Sequence, residues 1–127
     1  MAKSLEKAEL DFLATYSALL DTLEDGFSSV AYFYREGFEE SGDRLLLQML
    51  ESVMPYSPEN MTMAHIVSER GEHQKVLKQF YQTTAEAGKV LEAKNRHEKI
   101  TYLSTVLLPV FQRWKLLVDG LLHQKED

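Results

Sequence analysis

Apolar residues recur at steps of three and four positions along three stretches of the chain. The first stretch consists of Leu13, Tyr16, Leu20, Leu23, Phe27, Val30 and Tyr34. The second, in which one turn lacks an apolar residue and two positions are polar, consists of Ile66, His73, Leu77, Phe80, Thr84, Ala87 and Leu91. The third consists of Ile100, Leu103, Leu107, Val110, Trp114, Leu117 and Leu121. Such spacing places side chains on one face of a helix, so each stretch predicts a long amphipathic helix that needs a partner surface.

Capping and turn residues indicate where the first two helices begin and end. Helix 1 is expected to start after Ser4, a good N-cap residue, and to run to about Glu36. Gly26 falls in its buried row, which favours a close helix crossing over a tolerated weak point. The glycine-bounded turn over 37–42 leads to a short helix over about 43–54.

Two prolines and a polar turn divide the second half of the chain. A linker over 55–60 contains both prolines and is followed by a third helix that reaches about Ala93. The polar segment 67–75 is expected to fray or to lie exposed. A turn at 95–97 opens a fourth helix to about Leu122, with a kink at Pro109. The predicted fold is all-α, an antiparallel bundle of three long helices and one short helix.

Composition places the chain among ordinary globular proteins. Of its 127 residues, 44% are apolar and 27% are charged, which predicts one helical-bundle domain over 1–127. The chain contains no cysteine, so disulfides, thiolate metal sites and cysteine nucleophiles are excluded. This composition suits a reducing cytoplasm. Residues 124–127 are expected to be loose.

Charge and hydropathy argue against two classes of partner. The net charge is −6, whereas nucleic-acid binding needs clustered lysine and arginine. No apolar run approaches the roughly 20 residues that cross a bilayer. The N-terminal segment carries charges of both signs without an apolar core, so no signal peptide is expected. We therefore predict a cytoplasmic protein with no nucleic-acid or membrane partner.

No catalytic signature is present, so we expect no enzyme activity and no cofactor. His65, Glu69 and His73 follow one another at steps of four residues, a spacing at which side chains one turn apart can share a metal. Neither Glu-x-x-His nor His-Glu-x-x-His occurs, and eight residues turn a helix about 80° beyond two full turns. Solvated residues are the favoured interpretation, and a metal- or small-ligand-binding bundle is the alternative.

Basic residues gather where the third helix leads into the fourth. This cluster consists of Lys94, Arg96, His97 and Lys99. Together with free amides at the start of a helix, these cations could hold a phosphate or a carboxylate. Cations at a helix C-terminus also complement the helix dipole, and this structural role is the favoured interpretation.

An excess of apolar residues is the main functional indication. The fourth helix carries a second apolar row, which we predict to bind a partner, consisting of Leu108, Phe111, Val118 and Leu122. Further candidates for incomplete burial are Tyr32, Phe38, Leu47, Met61 and Met63. Methionine and aromatic residues suit interaction surfaces. The predicted partner is another protein, with a homodimer as a further possibility.

Two segments support a resemblance to known families. The segment from Leu19 to Val53, with Gly26 in a long helix, and the later segment from Leu107 to Lys115 resemble small uncharacterised helical proteins of Bacillus-type bacteria. The same order is similar to the flagellin export chaperone, whose last helix ends in Phe-x-x-Trp-Lys. This resemblance implies a cytoplasmic bundle that wraps an unfolded secretion partner in hydrophobic grooves.

Overall fold

The computed structural model describes residues 4–123, in which helices are joined by short turns and no β-strand occurs. Its six α-helices are α1 (Lys7–Arg35), α2 (Glu39–Ser52), α3 (Met61–Val67), α4 (Gly71–Glu92), α5 (Arg96–Tyr102) and α6 (Leu108–Leu122). A 3₁₀ turn over Met54–Tyr56 follows α2, and a π turn over Leu103–Leu107 joins α5 to α6. The all-α prediction is confirmed. The expected loose segment 124–127 lies outside the described residues.

Four helical rods form an antiparallel bundle: α1, α2, α4 and the continuous α5–α6 rod. Helix α1 packs between α2 and the α5–α6 rod, and α4 packs against both α2 and α6. The end of α1 meets the start of α5, where the ammonium of Lys99 lies 5.9 Å from the ring centroid of Tyr34. The whole apolar row predicted for α1 is buried. Among residues 4–123, no helix has both the length and the apolar character needed to cross a membrane.

Two glycines allow α1 and α2 to approach each other closely. A Cβ atom on Gly26 would lie 2.7 Å from Sδ of Met49, so the predicted close crossing is confirmed. A Cβ atom on Gly42 would lie 2.6 Å from the ring of Tyr34. Since Gly42 packs inside α2, it does not end the turn as the sequence suggested. Gly37, at φ 87°, reverses the chain by itself.

Both predicted N-termini therefore need correction. Helix α1 begins at Lys7 rather than directly after Ser4, because the backbone N–H of Glu6 donates to Oε1 of Glu9 at 2.9 Å and fixes the first turn. Helix α2 begins at Glu39, earlier than the expected residue 43, because the turn after Gly37 is short.

The predicted third helix is in fact two helices. Glu69 adopts φ 67°, a left-handed conformation that interrupts the helix between α3 and α4. The buried side chain of Arg70 donates from Nη1 to the carbonyl of Ile66 at 2.8 Å and caps the end of α3. The sequence indicated weakness over 67–75, but the break is a defined, capped turn.

The kink expected at Pro109 takes the form of the π turn that precedes it. Phe111 follows Tyr102 by nine positions, which at about 100° per residue would place the two on opposite sides of a continuous α-helix. Both side chains are nevertheless buried, because the π turn takes up one additional residue. Within α6, Phe111 and Val118 share the buried face with Trp114 and Leu121.

Candidate functional site

The predicted partner row on α6 is divided between core and edge. Phe111 and Val118 have no exposed surface, and the ring of Phe111 lies 4.9 Å from that of Phe27. Leu108 and Leu122 are half-buried against the core. A partner can reach Phe111 or Val118 only if the bundle opens. A binding role for this row stays a prediction.

Other apolar candidates do reach the surface. Tyr32, Phe38, Leu47 and Met61 are exposed as predicted, whereas Met63 is fully buried because α3 turns it toward the core. The exposed residues that sequence reasoning missed are Met54, Val106 and Leu116. Leu116 lies outside both apolar rows of α6, so no periodic signal marked it.

The proposed metal ligands do not share one helix. His65 lies on α3, Glu69 in the break and His73 on α4, so the regular spacing has no geometric meaning here. Within residues 4–123, no group of three His, Cys, Asp or Glu side chains is placed to hold a metal ion.

One residue of the basic cluster at the start of α5 forms ion pairs within the protein. Lys99 is buried, and its Nζ lies 2.8 Å from Oδ2 of Asp43 and 3.5 Å from Oε2 of Glu39. Burial lowers the pKa of Lys99, but the hydrogen bond and charge of Asp43, together with Glu39, outweigh it and leave the pKa above its ordinary value. Lys99, one of the four residues of the cluster, therefore joins α5 to α2.

A groove between the N-terminal half of α1 and α3 is the best candidate for a binding site. It encloses about 510 Å³, within the range of sites that take ligands or side chains. Its lining residues are Glu6, Ala8, Glu9, Phe12, Met61, Thr62 and His65. Met61 is 87% exposed, more than any other large apolar side chain in the described residues.

Helix α3 is held in place by its cap and by its buried face. The side chain of Asn60 accepts a hydrogen bond from the backbone N–H of Met63 at 2.9 Å and donates to the carbonyl of Pro55 at 2.9 Å. Buried Ile66 and Val67 anchor the inner face. Met61 is consequently presented to solvent on a fixed helix.

Glu9 is the unusual residue of the groove, because it is a carboxylate that is only 6% exposed. Its Oε1 accepts the Glu6 N–H, while its Oε2 is buried and accepts no hydrogen bond from the described residues. The nearby Nε2 of His65 lies 3.4 Å from Oε2 and forms an ion pair only when the imidazole is protonated. Glu9 precedes Leu13 by four positions, on the buried face of α1, and this spacing was the signal that sequence reasoning missed.

The structure thus defines an antiparallel helical bundle with an apolar groove beside a buried carboxylate. Residues 11–117 match a protein-family model described as a domain of unknown function, DUF8042. This match covers most of the chain, so the protein belongs to that family. Phe12, Met61 and His65 lie within the matched range, and Glu6 and Glu9 precede it. No curated protein and no solved structure shows significant similarity to the chain.

Proposed function

We propose that the protein is a non-enzymatic interaction module of the cytoplasm that captures an amphipathic segment of another protein in the α1–α3 groove. The observation that carries this proposal is the placement of Met61, a large apolar side chain that is almost entirely exposed on a capped helix at the edge of a cavity. Exposed apolar surface beside a cavity is typical of interaction sites. Methionine adapts to different apolar partners because its side chain is unbranched and polarizable.

The resemblance to the flagellin export chaperone supports the same class of function. That family resemblance implies a bundle that holds a secretion partner in hydrophobic grooves. In this chain Phe111 and Val118 of the α6 row are core residues, and Leu108 and Leu122 are half-buried, so the groove beside Met61 is the better candidate for such a role. A chaperone-like adaptor is therefore the specific form of the proposal.

The corner between α1 and α2 is a weaker candidate. It exposes Phe38, whose ring meets that of Phe33 edge to face at 6.5 Å, beside a cavity of about 330 Å³. However, Glu39 in that cavity already pairs with Lys99. The α1–α3 groove is the better candidate because Phe38 at the corner is 55% exposed, whereas Met61 is 87% exposed.

Affinity capture with two matched surface variants tests the proposal. Tagged wild-type protein, Met61→Asp and Leu116→Asp are used as baits in lysate of the source organism, followed by mass spectrometry. Leu116 is the matched control, since it is 71% exposed and lies on α6, outside the groove. We expect a retained protein that is lost with Met61→Asp and kept with Leu116→Asp.

Circular dichroism must show that both baits keep the wild-type helical signal. Identical retention by all three baits would contradict the assignment of the groove. A second copy of the chain as the partner would appear as a concentration-dependent mass in light scattering that Met61→Asp abolishes.

A further inference from the structure

We infer that the segment occupying the α1–α3 groove presents a lysine or arginine side chain to Glu9, so that the partner is a basic amphipathic helix. This inference rests on the proposed function and adds the chemistry of the partner. It begins from the state of Glu9, whose Oε2 is buried at the groove without a hydrogen bond from the described residues.

A carboxylate in this position favours a cationic ligand. Removing an ionised oxygen from water without a donor is unfavourable, and a positively charged donor offsets that cost more than a neutral one. His65, the neighbouring group at 3.4 Å, supplies a charge only when protonated. A lysine or arginine of the partner would supply a permanent one.

The other lining residues of the groove suit the methylene stem of a lysine or arginine side chain. Phe12 and Met61 provide apolar surface, along which the methylene stem of a lysine or arginine can lie while its charged head reaches a carboxylate. Glu6 adds a second carboxylate at the rim. Because Oε2 is buried, contact with a cationic head requires the ring of His65 to leave its 3.4 Å position beside Glu9.

The overall charge agrees with the local chemistry. A net charge of −6 attracts a basic segment during encounter. This long-range attraction is not specific to the groove, however. The experiment must therefore distinguish the effect of net charge from the effect of a direct contact with Glu9.

Binding of two synthetic peptides makes this separation. Each peptide has about 18 residues, long enough to form a helix on binding, with leucine on one face and either lysine or glutamine on the other. Fluorescence anisotropy gives the dissociation constant for the wild type, Glu9→Gln, Glu24→Gln and Met61→Ser. Glu9→Gln keeps an oxygen that can accept the Glu6 N–H, and Glu24→Gln removes an exposed charge elsewhere on α1.

We expect the lysine peptide to bind the wild type and to lose about tenfold in affinity with Glu9→Gln, as for loss of a charge-assisted hydrogen bond. With Glu24→Gln the change should stay within about twofold, because isolated exposed charges contribute little. The glutamine peptide should bind more weakly and respond to Met61→Ser but not to Glu9→Gln.

Each alternative result has a distinct meaning. Equal losses of affinity with Glu9→Gln and Glu24→Gln would overturn the inference, because the attraction would then come from net charge alone. Equal affinity for the lysine and glutamine peptides would overturn it as well. If Met61→Ser weakens the binding of both peptides while Glu9→Gln changes the binding of neither, the groove is the binding site but the contact between a cation and Glu9 is wrong. Failure of the lysine peptide to bind the wild type also overturns the inference, and the affinity capture then decides the proposed function independently.

Discussion

Three aromatic side chains form a directed hydrogen-bond chain through the core. The hydroxyl of Tyr81 donates to the carbonyl of Val53 at 2.8 Å, so at its 2.8 Å contact with Tyr16 it must accept. Tyr16 in turn accepts from Nε1 of Trp114 at 2.7 Å. Burial raises the pKa values of Tyr16 and Tyr81 above the ordinary tyrosine value, so both stay protonated and able to donate. The chain links α6, α1, α4 and the end of α2 without an unpaired hydroxyl.

Removing the hydroxyl of Tyr81 from this chain should therefore be costly. Tyr81→Phe leaves the buried Tyr16 O–H without an acceptor, while the Val53 carbonyl loses one donor and keeps the N–H of Tyr56. We expect a loss of about 1–3 kcal/mol in the free energy of unfolding. Urea denaturation measures it. Tyr32→Phe, at a side chain that is 51% exposed, is the control and should change stability by less than about 0.5 kcal/mol. Equal effects of the two substitutions would show that the buried chain contributes nothing of its own.

His73 should make the protein sensitive to mild acid. Its pKa is lowered below the ordinary value by burial and by the charge of Arg70. His73 therefore binds a proton more readily in the unfolded chain than in the folded protein. As a result, the free energy of unfolding falls as the pH drops through the ordinary histidine range. Unfolding free energies at about pH 7.5 and 5.5 should differ less in His73→Gln than in the wild type. An unchanged difference would assign the pH dependence to other groups.

Glycines in two helices should respond oppositely to alanine. Gly42→Ala forces a methyl against the buried ring of Tyr34, which donates to Asp43 at 2.7 Å and cannot move freely. We expect a loss of about 1–3 kcal/mol from this overpacking between α1 and α2.

Gly120→Ala is the matched case in α6, where a Cβ meets nothing within 4 Å. It should gain about 0.5–1 kcal/mol, since alanine forms helices more readily than glycine. Thermal denaturation of both variants checks the pair. If both substitutions stabilise the protein, α1 and α2 must move apart to accommodate the new methyl group without loss of stability.

The bundle as a whole should unfold in one step. Trp114 is the chain's single tryptophan, it is fully buried, and it is joined to Tyr16 on α1. Its fluorescence therefore reports the packing of the core, while circular dichroism reports all the helices. The two signals should give the same urea midpoint, as expected for a small cooperative domain. Separate midpoints would instead indicate an intermediate that keeps its helices after the core has loosened.

Local patterns predicted most of the fold but only part of the site. The buried row of α1 and the close approach at Gly26 followed from spacing alone, because a helix repeats locally. The exposure of Met61 was also predicted. The break at Glu69 was missed as a defined turn, since it depends on the cap that Arg70 provides and on a left-handed conformation that the residue type does not favour.

Assignments between helices depended on tertiary structure. Phe111 and Val118 were predicted to bind a partner, yet they are core residues, because they lie on either side of the buried Trp114 on the face of α6 that packs against α1 and α4. Glu9 lies at a groove only because α3 packs beside the start of α1. The sequence by itself determined the all-α class and the inner face of α1, because these follow from a periodicity of neighbouring residues. Tertiary structure alone decided which apolar residues stay exposed and which carboxylate lies beside them, because both depend on contacts between distant segments.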